Sequence, residues 1–204
     1  MLNEVEKAQP PVTLDQLKIL TLNANAEPLG WVKYEEYAYY ASSNKILWTL
    51  GQYEITLRGG INARTGLQSK MVIDSIIALD NKTSPYSYRK HAPALTNSAL
   101  FERDKNLCAY CGSQFKRQEL TREHIMPKSK GGKNTWENVV AACKPCNGLK
   151  DNRTPEQAGM ELLFLPYCPN FHEDLILKNK SILADQMEFL LRGVHKNSRL
   201  HLNA

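Results

Sequence analysis

The sequence predicts an α+β fold, with a small cysteine-tied core in its second half, a mixed α/β lobe before it and a helix after it. Three observations predict this. Short β-branched runs suited to strands are separated by short helical stretches. Two C-x-x-C pairs bracket residues 108–146, and an amphipathic pattern runs through residues 174–194. The chain has 204 residues, 42% apolar and 23% charged, which suits one domain with a modest second lobe and can bury a core.

In order along the chain, residues 1–14 read as a loose polar leader. Residues 18–22 (KILTL) and 54–57 (EITL) read as strands, and 46–50 (ILWTL) as a third strand or a helix end. Residues 33–43 (KYEEYAYYASS) form a helix whose tyrosines face the core. Gly59-Gly60 marks a turn, and residues 71–79 (MVIDSIIAL) form another strand. Residues 81–93, dense in turn formers and charge, make a linker. A short helix over 96–104 follows, with Thr96 or Asn97 as its cap. Residues 119–122 form a short strand, Gly131-Gly132 interrupts a basic loop, and helices are expected over 145–152 and 155–164. The C-terminal helix, with Leu175, Ile176, Ile182, Met187, Leu190 and Leu191, reads as a lid on the core rather than a dimer seam. The resulting boundaries are an accessory lobe at 1–95, a domain at 96–165 and a helical extension at 166–204.

No window reaches the ~18 uninterrupted apolar residues of a membrane span. The polar start, with Glu4 and Glu6, lacks the basic and then apolar pattern of a secretory signal. A soluble protein of the cytoplasm is expected. Net charge is +5, from 26 basic and 21 acidic residues, and it is unevenly placed. Residues 101–154 hold 11 basic and 6 acidic side chains, and the remainder balances at 15 of each. An anion-binding face such as a nucleic-acid site fits that concentration, as does a solvated lysine-rich loop.

Four of the five cysteines, Cys108, Cys111, Cys143 and Cys146, form the two C-x-x-C pairs. Each pair presents two thiolates from one knuckle, and two knuckles complete the tetrahedral shell that structural Zn²⁺ prefers. Disulfides do not suit an intracellular chain, and a redox C-x-x-C needs no second pair. Cys168, between Tyr167 and Pro169, reads as a buried thiol. The 31 residues between the knuckles exceed the ~15–20 of a minimal zinc ribbon, so an insertion with chemistry of its own is expected there.

That insertion carries Arg122-Glu123-His124, Lys128, Lys130, Gly131-Gly132, Lys133 and Trp136-Glu137-Asn138; Asn147, Lys150 and Arg153 follow the last cysteine. Singly each has an ordinary explanation, since a lone His is usually structural and Asn138 or Asn147 could cap a helix. Together they supply a near-neutral base for water, oxygen ligands for a divalent cation, and cations for phosphates. The zinc ties the strand ending at His124 to the helix bearing Asn147. Asn147 and Lys150, three apart, share a face of that helix, and Asp151 could share it too.

The combination C-x-x-C, E-H-I-x-P-x-S-x-G-G, W-x-N-V-V and A-C-x-x-C-N-x-x-K over residues 101–155 resembles the HNH endonuclease family, the ββα-metal nucleases. More weakly, residues 20–32 (LTLNANAEPLGWV) and 154–163 (TPEQAGMELL) resemble the flanks of free-standing bacterial and phage members. The resemblance implies a ββα-metal core with His124 as general base and Asn138 pinning the loop that carries it. It implies Glu123 and Asn147 as ligands of one catalytic cation. Asn147 stands where many members have a second His, and Glu123 where an Asp is usual; an all-oxygen set leans toward Mg²⁺ or Mn²⁺. Arg122, Lys128, Lys130, Lys133, Lys150 and Arg153 are expected on the phosphates of double-stranded DNA. A single site cuts one strand, so double-strand cutting needs a homodimer or two successive nicks. The alternative is a non-catalytic, zinc-stabilised nucleic-acid-binding module, which would gain nothing from a base beside a carboxylate. His91, His172, His195 and His201 lie in no motif and read as surface or structural residues.

Overall fold

The computed structural model describes residues 13–80, 92–196 and 198–203. The expected leader at 1–14 falls almost wholly outside these residues, and the expected linker at 81–93, including His91, mostly does. The architecture is α+β, with six α-helices and two sheets among the described residues. It divides into two compact units: Met1–Arg89 with Asn179–Gly193, and Lys90–Lys178 with Val194–Ala204.

The first unit is a four-stranded sheet in the order β2-β1-β4-β3. β1 (Ile19–Leu22) pairs antiparallel with β2 (Pro28–Val32), and parallel with β4 (Gln68–Leu79) in the register Leu20↔Ile76. β3 (Ile46–Ile61) runs antiparallel to β4. The two runs at 46–50 and 54–57 are therefore one long strand. Gly59-Gly60 is no turn; it lies within β3 at a register shift between Arg58 and Ile61. The chain reverses at Asn62, whose side-chain oxygen accepts from the Arg64 and Thr65 N–H groups, while Gly66 at φ +70° donates its N–H to Asn62 O.

The helix α1 (Tyr34–Ser42) buries Tyr37 and Tyr40, leaves Tyr39 exposed, and donates the Tyr37 hydroxyl to Val72 O. Leu17, Ile19, Val32, Ile55, Ile73, Ile77, Leu79 and Leu183 complete this core. Leu183 comes from far along the chain. It precedes α6 (Ala184–Leu191), whose buried Gln186 donates to Lys18 O and Ser75 O.

In the second unit, α2 (Asn97–Arg103) is capped by Thr96, whose hydroxyl accepts from Ala99 N–H. β5 (Leu120–His124) and β6 (Val139–Cys143) form an antiparallel pair, Leu120↔Cys143 through His124↔Val139, and α3 (Lys144–Lys150) follows directly. This is the expected β-β-α order. Leu100, Phe101, Leu120, Trp136, Val139 and Ala141 form its core. Arg103 is fully buried, donating to Asp104, Trp136 O, Val139 O and Tyr167 O. Asp104 in turn accepts from Ala141 N–H, so this buried pair ties α2 to β6.

Two helices differ from expectation. α4 (Pro155–Ala158) stops well short of residue 164, because Gly159 turns left-handed at φ +67° and caps it. The single C-terminal helix is two, α5 (Phe171–Lys178) in the second unit and α6 in the first. Asn179 breaks it by accepting the Ser181 N–H on its side chain, and Gln186 reaches back to the Leu183 N–H to start α6.

Candidate active site

The site grows from the β5–β6 ladder. Five paired residues hold β5 rigid as far as His124, and Ile125 N–H then bonds to Asn138 O. Beyond it, the Asn138 side chain accepts from Met126 N–H at 2.9 Å and donates to Lys133 O at 2.8 Å and Met126 O at 3.2 Å. One amide thus spans both ends of the basic loop. The two glycines are required there. Gly131 adopts φ +87°, and a Cβ on Gly132 would stand 1.8 Å from Met126 O, so only glycine permits the closure.

His124 is part-exposed at the strand end, with Nε2 3.3 Å from Asn134 Oδ1. The Arg122 guanidinium donates to that same oxygen at 3.0 Å, which fixes the amide as an acceptor. Nε2 therefore carries the proton, and the lone pair sits on Nδ1. Burial lowers the His124 pKa; the Asn134 hydrogen bond opposes this, and Lys128, Arg122 and Lys150 reinforce it. The ring is neutral near pH 7, as a base must be. Asn134 has no counterpart in the sequence reading. Nothing in its spacing separates it from the turn residues around it.

Glu123 is 7% exposed. Its Oε1 accepts from the Lys150 ammonium at 2.5 Å, and Lys150 also donates to His124 O at 2.8 Å. Burial raises the Glu123 carboxyl, Lys150 pulls it back, and Asp151 adds to the rise. Lys150 corrects an expectation. It is fully buried and cannot reach a phosphate; its work is to join α3 to the last two residues of β5. Asn147, one turn earlier on α3, donates to Thr121 Oγ1 at 2.8 Å, so its carbonyl oxygen is left as an acceptor. Thr121, Lys144, Asn147, Gly148, Asp151 and Asn152 line an open cleft.

Glu123 Oε2 and the Asn147 carbonyl oxygen are each hard oxygen donors, of the kind that suits a cation that keeps most of its water, as Mg²⁺ does. Of the expected phosphate ligands, Lys128, Lys130, Lys133 and Arg153 are exposed. Lys130 donates to Gln157, Arg153 caps the α3 carbonyls of Leu149 and Lys150, and Arg122 is half-buried against Asn134 and Leu95 O. The buried cations Arg103 and Lys150 are each matched by a buried carboxylate, so the +5 excess of this region stays on its surface.

The four cysteines converge, with ligand atoms all within 4.8 Å of one another. A tetrahedron of ~2.3 Å Zn–S bonds has edges of about 3.8 Å, so small side-chain adjustments close it on a metal. Burial, and then the neighbouring sulfurs of Cys143 and Cys108, push the Cys146 thiol up. Four bare thiolates do not coexist here without a cation. Cys168 is part-buried, its thiol raised by burial.

Residues 108–163 match the sequence model of the family described as HNH endonuclease. The chain is also 42% identical over 52 residues to a CRISPR-associated endonuclease Cas9 of Corynebacterium diphtheriae, a match that covers 25% of this chain and 5% of that protein. The resemblance seen in the motifs is borne out for this segment. No helix among the described residues is long and apolar enough to cross a membrane.

Proposed function

We propose, from a segment that matches the HNH endonucleases, that this protein is a metal-dependent endonuclease of double-stranded DNA. The observation that carries the reading is His124. Its Nε2 faces Asn134 Oδ1, its Nδ1 makes no hydrogen bond among the described residues, and the ring stands at the end of a paired strand beside a buried carboxylate. A module that only binds DNA has no use for that arrangement.

In this reading His124 Nδ1 takes a proton from water, and the water attacks phosphorus in line with the departing 3′-oxygen, leaving a 5′-phosphate. Glu123 and Asn147 would hold the catalytic Mg²⁺ or Mn²⁺, which would supply positive charge to the pentacovalent phosphate and the leaving oxygen. Asn138 keeps the basic loop closed, and Lys128, Lys130, Lys133 and Arg153 hold backbone phosphates. Cys108, Cys111, Cys143 and Cys146 hold structural Zn²⁺, which suits the reducing cytoplasm. One such site nicks; cutting both strands takes a homodimer or two successive events.

A supercoiled-plasmid assay tests this. Wild type with Mg²⁺ or Mn²⁺ converts plasmid to nicked or linear form. His124→Ala falls by at least ~100-fold, the usual worth of a general base, and omitting the cation abolishes cutting. Full cutting by His124→Ala would remove the base assignment. An intact plasmid that only shifts on a gel would favour the binding module.

A further inference from the structure

The β3–β4 hairpin does not end where its core ends. Ile55 and Ile73 are partners and both are buried, but every residue from 58 to 70 is exposed while pairing continues through Arg58↔Lys70 and Ile61↔Gln68. At ~3.3 Å per residue the arm reaches about 25 Å past the last buried pair. Ile61 and Leu67, at 72% and 70% exposure, sit near its tip with no cover.

The arm's charge has one sign. Residues 55–73 contain Arg58, Arg64 and Lys70 and no Asp or Glu. Arg58 and Lys70 stand directly opposite on the ladder, an arrangement that costs stability unless an anion answers it. None of the three forms an ion pair among the described residues, although Glu35 lines the same groove as Arg58 and Lys70 at the arm's base.

We propose that this arm is a second nucleic-acid contact: a two-stranded ribbon that lies in a groove of duplex DNA, with Arg58, Arg64 and Lys70 on backbone phosphates. The width suits, since the major groove admits a two-stranded ribbon. Exposed apolar side chains at a ribbon's tip suit the sugar and base edges of a groove. A second copy of the arm is disfavoured as occupant because like charges would meet. The inference rests on the DNA reading above and extends it to the first unit, but it can be measured without cleavage.

The test uses the full chain, without added Mg²⁺ or Mn²⁺, titrated into a fluorescein-labelled 30-base-pair duplex and followed by anisotropy across a series of KCl concentrations. Each phosphate contact contributes about 0.9 to the slope of log affinity against log salt. The variant Arg58→Gln/Arg64→Gln/Lys70→Gln should therefore lose roughly two to three units of slope. It should bind at least tenfold more weakly at 100 mM salt, with a melting midpoint no lower than that of wild type, since the opposed Arg58 and Lys70 charges are relieved.

A control, Lys33→Gln/Lys45→Gln/Arg192→Gln, removes equal charge elsewhere in the same unit and should retain the slope. An arm variant with wild-type slope, a control that loses as much, or a wild type that does not bind duplex overturns the proposal. So does loss of binding to phosphatidylserine vesicles with no loss on duplex. Nicking that requires His124 alongside an unaltered arm slope would leave the nuclease reading standing and remove the arm. Loss of slope in a protein that never nicks would keep the arm and remove the nuclease.

Discussion

His124 shows how one side chain's surroundings set a measurable profile. Its charged form is disfavoured by burial and by three nearby cations, so its pKa lies below the usual 6.5. The active form in the proposed reaction is the unprotonated one. Cleavage should therefore rise with pH along a limb whose midpoint lies below 6.5 and then level off. A bound divalent cation moves the midpoint further in the same direction. Single-turnover rates on plasmid between pH 4.5 and 8 would check this. An acid limb centred above 6.5 would mean that a group other than His124 controls the step. Asn134 refines the expectation. Without its oxygen the ring can turn or take the other tautomer, so Asn134→Leu should lower the plateau rate more than it moves the midpoint.

Lys150 does its work between elements, joining α3 to β5 through the Glu123 carboxylate and His124 O. Lys150→Met leaves a buried carboxylate without its cation, and breaking a buried pair from one side costs about 3–5 kcal/mol. The cost should be largest at high pH. Removing Lys150 takes away the pull that lowers the Glu123 carboxyl and leaves the burial that raises it, so stability should be lost as pH rises through the raised folded value and be fully present below the unfolded one. Urea unfolding at pH 5 and pH 8 would measure the difference, and Glu123→Gln/Lys150→Met should recover much of it. Equal stability of Lys150→Met and wild type would remove the pair as a structural link.

The same link shows what the sequence could and could not disclose. Asn147 and Lys150 were readable as one helix face from spacing alone, and the CxxC knuckles fixed where that helix begins. Burial was not readable, because a lysine in a basic stretch looks the same in sequence whether it meets phosphate or a hidden carboxylate. β6 went unread as a strand because Val139–Cys143 is five residues absorbed into a motif. β2 was missed because Pro28 and Gly30 weaken its strand signal. The arm's charge was hidden by averaging, its three cations being balanced by carboxylates elsewhere in the chain.

At the scale of the whole molecule, the two units carry separate cores, and all five cysteines lie beyond residue 107. The aliphatic and tyrosine core around the four-stranded sheet contains no cysteine, whereas Cys108 and Cys143 are themselves core residues of the second unit, packed with Ala142. Zinc removal should therefore be selective. Structural zinc sites in small domains supply on the order of 10 kcal/mol at neutral pH, comparable with the whole stability of a domain.

Calorimetry of the full chain should show two transitions, with a chelator abolishing one and leaving the other in place. Elemental analysis should find one zinc per chain before stripping, and a thiol reagent should count four more reactive cysteines after it. Because the thiols must shed protons to bind, zinc affinity should fall steeply as pH drops, which ties stability of the second unit to pH through the metal. Plasmid cleavage should disappear with that transition, since the second cysteine knuckle ends β6, partner of the His124 strand, and opens the helix of Asn147. A chelator that shifted both transitions equally would overturn the assignment of zinc to one unit, and a full-length protein containing no zinc would overturn the site itself.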